Sequence, residues 1–221
     1  MVQSERKVGL ALGGGGARGL AHIGILEVLE KEGIPIDMIA GTSAGALVGA
    51  VYAQGKDARL IKEEVLGLAW RKLAALVDLT LSKTGLIQGK RVKNLLQGMV
   101  GGDVKFSDLK IPLSIVATDI NTGDEVVINE GSVLEAVRAS ISTPGLFTVV
   151  KWKDRYLVDG GLVNPVPVNI VKKIGADFVI AVNVIPDLIE RKHHVTKGGT
   201  ETPKEPNIFA VLLQSIYIGT Y

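Results

Sequence analysis

Two consecutive strand–turn–helix units near the start of the chain constrain its fold more than any other feature. In the first unit, the apolar run 8–12 ends at four glycines, and apolar residues then recur at helical spacing until Gly33. In the second, the apolar run 36–40 leads into a glycine-flanked turn and then into 46–53, whose small apolar residues are typical of a buried helix. Because parallel strands are joined by helical crossovers, the repeated unit predicts a parallel α/β sheet.

The later part of the chain predicts further elements around this sheet. Periodicity and turn residues indicate a mostly helical region at 57–99 that is interrupted near 82–89, strands at 111–117, 125–128 and 178–184, helices at 132–139 and 168–174, and a hairpin of 149–152 with 155–158. Ser132 is expected to cap its helix, since Glu135 stands at the capping-box spacing. The polar stretch 190–206 is predicted to be a mobile loop.

The composition favours one domain and excludes several classes of function. The 221 residues are 47% hydrophobic, which is enough apolar surface to bury a single core. A net charge of +2 is too small to indicate nucleic acid as a partner. Without cysteine the chain has no disulfide, thiolate nucleophile or cysteine-ligated zinc. No apolar stretch reaches the roughly 18 residues that span a bilayer, so we expect a soluble, cytoplasmic protein with transient contact to a membrane surface.

A serine stands in the turn of the second unit. Gly41-Thr42-Ser43-Ala44-Gly45 is a G-x-S-x-G sequence between a predicted strand and a predicted helix, which is the context of a nucleophile elbow. The two flanking glycines would let substrate and neighbouring backbone approach Ser43 closely. The same position also suits a serine that only caps the following helix, so this motif by itself leaves both interpretations open.

The glycine turn of the first unit reads Gly13-Gly14-Gly15-Gly16-Ala17-Arg18-Gly19. Several backbone N–H groups can converge there at the positive end of a helix dipole, which suits a phosphate or an oxyanion. As a dinucleotide fingerprint the turn is incomplete, because the Ser43 turn occupies the place of the required acidic residue. Arg18 is interpreted either as a residue that orients the loop or attracts an anionic head group, or as a solvated arginine. His22 is more typical of a core or capping residue than of a base.

A serine nucleophile needs a group that accepts its proton, and the candidates are few. Asp159-Gly160-Gly161 follows an apolar hairpin strand and places a carboxylate on a turn, which is compatible with catalysis and equally with an ordinary Asx-turn. An aspartate of ordinary pKa is a poor base at neutral pH, so the role requires burial or a short hydrogen bond to Ser43. The order Ser43, Asp159, then His193 or His194 also fits an α/β-hydrolase triad, although both histidines lie in a polar stretch.

The three motifs around Gly13–Gly19, Gly41–Gly45 and Asp159–Gly161 together resemble those of the patatin-like phospholipase family, with bacterial members as the nearest type. The stretch Ser140 to Phe147 extends the similarity, which covers roughly Val8 to Val184. The resemblance implies an α/β fold with three α/β/α layers and a central, mainly parallel sheet. It also implies a serine–aspartate dyad without histidine, in which Ser43 is the nucleophile and Asp159 is the base.

The same resemblance implies the rest of the site and its substrate class. The oxyanion donors are expected to be the backbone N–H groups of Gly14, Gly15 and Gly16, with Arg18 in the motif's basic position. A lipid ester, such as an acyl chain of a phospholipid or lysophospholipid, is the expected substrate, and neither a metal nor an organic cofactor is required. Bacterial members are often longer at the C-terminus, so a single domain over 1–221 with a C-terminal truncation is expected.

Two other functions stay open, and the sequence carries no signal for the oligomeric state. One is a non-catalytic regulator or binding module that uses the glycine loop for a phosphate or a partner protein. The other is an esterase with a Ser-His-Asp triad, in which His193 or His194 is the base.

Overall fold

A computed structural model describes residues 6–64, 89–102 and 104–185, and seven strands within them form one sheet. The strands are β1 (Val8–Leu12), β2 (Met38–Thr42), β3 (Leu113–Asp119), β4 (Glu125–Ile128), β5 (Val150–Trp152), β6 (Arg155–Asp159) and β7 (Phe178–Val182). The helices are α1 (Ala21–Lys31), α2 (Ala44–Ala53), α3 (Ala58–Glu64), α4 (Gly89–Val100), α5 (Val133–Ser140) and α6 (Val168–Lys173), and short 3-10 turns occur at Gly16–Leu20, Phe106–Asp108 and Gly160–Leu162. In this part of the chain, no helix combines the length and apolarity needed to cross a bilayer.

The sheet combines a parallel part with an antiparallel part, and β3 belongs to both. Strands β7, β1, β2 and β3 lie side by side and run parallel, as the two consecutive units predict. Strand β4 pairs antiparallel with one edge of β3, and β6 pairs antiparallel with the other edge, where β5 continues the sheet as the predicted hairpin. Strands β2 and β6 therefore share one edge of β3, where β2 covers the first half of β3 and β6 covers the second.

Alternation along β1 explains why helices cover both faces of the sheet. Leu10 and Leu12 point into the larger core cluster, to which α1, α2 and α5 contribute, whereas Ala11 points into a smaller cluster on the opposite face with residues of α6. On the face covered by α6, Gly9, Ala11 and Ala40 have small side chains or none, and a Cβ at Gly9 would lie only 2.0 Å from Val171 Cγ1. Small side chains on that face let α6 pack directly on the backbone of the sheet, which gives the predicted α/β/α layers.

Most predicted elements are confirmed, including the Lys153-Asp154 turn of the hairpin and the cap of α5, where Ser132 accepts a hydrogen bond from the Glu135 N–H. The predictions for β2 and β3 are both displaced by two residues at each end, and Gly41 and Thr42, expected in the turn, belong to β2. Pro112 has no N–H to donate, so β3 begins after it. Thr118 and Asp119 look like turn residues but pair with β6, which buries them. The predicted loop 190–206 and the two histidines within it lie outside the described residues.

Two glycine-to-alanine changes should have opposite effects on stability, because Gly45 closely contacts the backbone of β1 and Gly24 is exposed on α1. At Gly45 a Cβ would lie 2.1 Å from the carbonyl oxygen of Leu12, a backbone atom that cannot move aside, so Gly45→Ala should destabilise the protein by at least about 1–3 kcal/mol. At the exposed helical position Gly24 nothing lies within 4 Å, so Gly24→Ala should stabilise it by about 0.5–1 kcal/mol. Urea unfolding followed by circular dichroism measures both, and a Gly45→Ala protein as stable as wild type would contradict the close contact.

Candidate active site

The candidate site lies where β2 and β6 meet end to end along β3. Strand β2 runs parallel to β3 and β6 runs antiparallel to it, so their carboxyl ends point toward each other. Thr42, the last residue of β2, pairs with Val116, and Asp159, the last residue of β6, pairs with the next residue, Ala117. Ser43 directly follows Thr42, so this register brings together Ser43 and Asp159, which are 116 residues apart in sequence. The Ser43 hydroxyl donates a hydrogen bond of 2.9 Å to Asp159 Oδ2.

Ser43 has the backbone geometry of a strained turn. Its φ of 52° and ψ of −117° form a conformation that L-residues rarely adopt, at a cost of about 1–3 kcal/mol. The Ser43 N–H donates to Ser140 Oγ over 2.8 Å, and the Ser43 carbonyl accepts the N–H of Leu47 in the first turn of α2. The hydroxyl makes no capping bond to α2. The alternative interpretation, in which Ser43 only caps the helix, therefore does not describe this structure.

Asp159 uses both carboxylate oxygens and both backbone polar groups in hydrogen bonds. Oδ1 accepts the Gly161 N–H over 2.8 Å, which is the Asx-turn, and Oδ2 accepts the hydroxyls of Ser43 and Thr143. The Asp159 N–H donates to the Ser142 carbonyl over 3.0 Å, and the Asp159 carbonyl accepts the Thr118 hydroxyl over 2.8 Å. The side chain is thus held in one orientation by neighbours on both sides of the strand.

Burial raises the pKa of Asp159, because the charged form loses its hydration in the interior. The hydrogen bonds from Gly161, Thr143 and Ser43 favour the charged form and oppose this effect, but burial is the larger influence. A carboxylate with a raised pKa is a stronger proton acceptor than an exposed aspartate. Asp159 is buried and has a direct hydrogen bond to Ser43, and either feature would suit an aspartate for the role of a base.

The glycine loop contacts the Ser43 turn through three of its glycines. A Cβ at Gly14 would lie 3.4 Å from Ser43 Cβ, and a Cβ at Gly19 would lie 2.4 Å from Ala44 Cβ. From the other side, Gly45 approaches the carbonyl oxygen of Gly13 as well as that of Leu12. Larger residues at Gly19 or Gly45 would separate the two turns, so these glycines bring the loop close to Ser43.

The peptide group between Gly13 and Gly14 is held at both ends. Its carbonyl oxygen lies 2.8 Å from His22 Nε2, and its N–H donates to the Pro165 carbonyl over 2.9 Å. The Gly14 N–H, one of the three expected oxyanion donors, is therefore already engaged. The N–H groups of Gly15 and Gly16 donate to no other residue that the structure describes, so these two are available. His22 is a fully buried core residue, as expected.

The remaining predicted site residues lie around this centre. Gly13 donates its N–H to Val182 on β7, Gly41 packs against the backbone of Ala46, and a Cβ at Gly160 would lie 2.2 Å from the Val116 carbonyl oxygen. Ala17 and Arg18 lie exposed in the 3-10 turn Gly16–Leu20, where the Arg18 N–H donates to the Gly15 carbonyl. An exposed Arg18 is consistent with both interpretations given to it.

Four polar residues that contact the site were not identified from the sequence as contributors to it. Ser140 binds the backbone of Ser43, Thr143 binds the carboxylate of Asp159, and Ser142 and Thr118 bind its backbone. Ser140 is the last residue of α5, and Ser142 and Thr143 follow it directly before Pro144. A cluster of hydroxyl residues at a buried helix end was the signal available in the sequence, but it does not show which groups they bind.

Comparison with known proteins relates the chain to one family. A family model described as Patatin-like phospholipase matches residues 10–172. The chain is 34% identical over 217 residues to an uncharacterized NTE family protein of Mycobacterium tuberculosis, which covers 98% of this chain and 57% of that protein. It is 38% identical over 190 residues to patatin-like phospholipase domain-containing protein 6 of Mus musculus, which covers 83% of this chain and 14% of that protein. The chain thus spans little more than half of the first relative and a small part of the second.

A solved structure shares the fold. VipD from Legionella pneumophila superimposes with a TM-score of 0.52 at 18% sequence identity, and the match covers 72% of this chain and 46% of that chain. At this level of identity the likeness concerns the architecture alone, and it agrees with the predicted α/β fold.

The buried carboxylate predicts that Asp159→Asn stabilises the protein more at neutral than at acid pH. Folding raises the pKa of Asp159, so its protonated form stabilises the folded protein. This stabilisation is fully present below the pKa of an ordinary aspartate and is lost as the pH rises through the raised pKa of the folded state. The asparagine keeps an oxygen for the Gly161 N–H and carries no charge. Its melting temperature should exceed that of wild type by a margin that grows between about pH 4 and about pH 8. An equal margin at both values would contradict a raised pKa.

Proposed function

The chain belongs to the patatin-like phospholipase family, and from this premise we propose that it is a serine acyl hydrolase that cleaves carboxylic ester bonds of lipids. The observation that carries the proposal is the 2.9 Å hydrogen bond from the hydroxyl of Ser43, on a strained turn, to a buried carboxylate oxygen of Asp159. A hydroxyl bonded directly to its own proton acceptor is the arrangement of an activated nucleophile.

In the proposed acylation step, Ser43 Oγ attacks the ester carbonyl carbon while its proton passes to Asp159 Oδ2. The tetrahedral intermediate carries its negative charge on the former carbonyl oxygen. The N–H groups of Gly15 and Gly16 are the donors that support this oxyanion, since the Gly14 N–H is engaged by Pro165. Collapse expels the alcohol, which takes the proton from Asp159, and leaves an acyl-enzyme on Ser43.

Deacylation uses the same groups with water in place of the hydroxyl. Asp159, ionised again, accepts a proton from water as the water oxygen attacks the acyl carbonyl. Collapse of the second intermediate returns that proton to Ser43 Oγ and releases the fatty acid. The cycle balances with water as the co-substrate, and each proton moves between Asp159 and an oxygen atom of Ser43, the alcohol or water.

The direct Ser43–Asp159 contact supports the dyad over the triad. In a Ser-His-Asp triad an imidazole lies between the serine and the carboxylate, whereas here the two side chains bond to each other. His22, the histidine within the described residues, is buried and bonds the Gly13 carbonyl instead. His193 and His194 lie outside the described residues, and their replacement tests the triad.

The family indicates lipids as the class of substrate. We assign acyl chains of phospholipids or lysophospholipids as substrates, with transient binding to a membrane surface and no nucleic acid partner. The chain acts in this proposal as one acyl hydrolase domain located in the cytoplasm. A regulator that only binds ligands would not require a buried carboxylate bonded to a strained serine.

Covalent labelling tests the nucleophile. A fluorophosphonate probe should modify wild-type protein at Ser43, and peptide mapping by mass spectrometry identifies the residue. Ser43→Ala should abolish labelling, and Asp159→Asn should slow it by about 100-fold or more, because the hydroxyl loses its proton acceptor. Release of fatty acid from lysophospholipid should follow the same order. A folded wild-type protein that resists the probe would favour the binding module.

The pH dependence of labelling tests the base. Protonated Asp159 cannot accept the serine proton, so the labelling rate should fall as the pH decreases through the pKa of Asp159. Because burial raises this pKa, the midpoint should lie above that of an ordinary aspartate. His193→Ala and His194→Ala are the controls, since neither should move the midpoint. If either change removes the pH dependence, the triad replaces the dyad.

A further inference from the structure

The segment from Ser140 to Thr143 makes hydrogen bonds to both members of the proposed dyad. Ser140 Oγ accepts the Ser43 N–H over 2.8 Å, and Thr143 Oγ1 donates to Asp159 Oδ2 over 2.8 Å. We propose that this segment, which we call the hydroxyl clamp (Ser140–Thr143), positions the dyad, with Ser140 holding the nucleophile's backbone and Thr143 orienting the carboxylate of the base. This inference rests on the proposed function and adds two positioning residues to it.

Ser140 fills a gap that the sheet itself creates. Between the carboxyl ends of β2 and β6, the Val116 carbonyl of β3 faces the open edge. The Ser140 hydroxyl donates to this carbonyl over 2.6 Å while it accepts the Ser43 N–H. One fully buried side chain therefore replaces the missing strand residue and ties the strained backbone of Ser43 to β3. Without it, a buried N–H and a buried carbonyl would both lose their partner.

Thr143 shares an acceptor atom with the nucleophile. Its hydroxyl and that of Ser43 both donate to Oδ2, so the two donors fix the direction in which this oxygen presents its lone pairs. Gly161 holds the other oxygen, Oδ1, so the carboxylate cannot rotate without breaking a bond. Three donors therefore keep Oδ2 aimed at Ser43 Oγ before any substrate binds.

The clamp is itself anchored on both sides. The Ser142 carbonyl accepts the Asp159 N–H, which joins the clamp to β6 through the backbone. The buried Arg138 donates to Ser142 Oγ, and its other terminal nitrogen donates to the carbonyl and hydroxyl oxygens of Thr148. Arg138 thus bridges the two ends of the turn that contains Thr143, which limits its movement.

The groups around Asp159 make the role of Thr143 measurable by pH. The partners of its carboxylate are Ser43, Thr143 and the Gly161 N–H, all uncharged. Of the charged residues on neighbouring elements, Arg138 of α5 is directed at Ser142 and Thr148, and Asp119 of β3 lies 3.5 Å from Arg155. A Thr143 hydroxyl that bonds the carboxylate stabilises its charged form, so removal of this hydroxyl should raise the pKa of Asp159.

The first experiment measures that pKa without requiring activity. The protein is labelled with 13C at its aspartate carboxyl carbons, and the Asp159 signal is assigned by its loss in Asp159→Asn. In Thr143→Val, which keeps the shape and removes the hydroxyl, the titration midpoint should move to higher pH, whereas Thr143→Ser should restore the wild-type midpoint. Thr122→Val is the control, because it removes a threonine hydroxyl that bonds Asp124 in the turn between β3 and β4, away from the clamp. An unchanged midpoint in folded Thr143→Val would overturn the role of Thr143.

The second experiment separates the two positioning residues by kinetics on a small p-nitrophenyl ester. Thr143→Val should lower kcat by about 10- to 100-fold with little change in KM. It should also move the acid limb of the pH–kcat profile to higher pH. Ser140→Ala should lower kcat without moving that limb, because Ser140 does not contact the carboxylate. Wild-type kinetics in both variants would overturn the clamp. An inactive wild type with a shifted Thr143→Val titration would refute the proposed function while retaining the Thr143 contact.

Discussion

The end-to-end meeting of β2 and β6 along β3 is the constraint on which the rest of the site depends. Strand β2 runs parallel to the first half of β3 and β6 runs antiparallel to its second half, so the two strands end there with their carboxyl ends facing. The residues that follow or end these strands, Ser43 and Asp159, then come within hydrogen-bond distance without any long loop to carry them. Their separation is set by the register on Val116 and Ala117, which makes it a property of the sheet.

This junction interrupts the ladder of backbone hydrogen bonds, and the structure compensates for the interruption locally. The Val116 carbonyl loses a strand partner and gains the Ser140 hydroxyl, and Gly160 passes so close to that carbonyl that no side chain would fit. The Val116 carbonyl thus explains both the buried hydroxyl of Ser140 and the absence of a side chain at Gly160. Gly45 has a comparable role on the other side, where α2 passes over the end of β1.

The site also places a destabilising group where the proposed chemistry needs one. A buried carboxylate costs stability when it is charged, and three hydrogen bonds offset only part of that cost, since its pKa is still raised. The strained backbone of Ser43 adds a further cost. Both costs fall on the two residues that the proposed mechanism uses, whereas the surrounding cores are apolar and closely packed.

The sequence alone determined the parallel α/β units, the hairpin, the cap of α5 and the three motifs, because each depends on residues that are near neighbours in the chain. Periodicity, glycine turns and capping residues act over a few positions, so local patterns were sufficient to predict them. The sequence also left Ser43 open between nucleophile and helix cap, since both uses have the same local context.

Only the tertiary structure decided the contacts that depend on strand register and burial. It placed the Ser43 hydroxyl on Asp159 and not on α2, and it showed that Pro165 engages the Gly14 N–H, so that two of three expected donors are available. It also brought Ser140 and Thr143 to the site. These hydrogen bonds join residues that are distant in the chain, and the site depends on how β2 and β6 share one edge of β3, which no local pattern specifies.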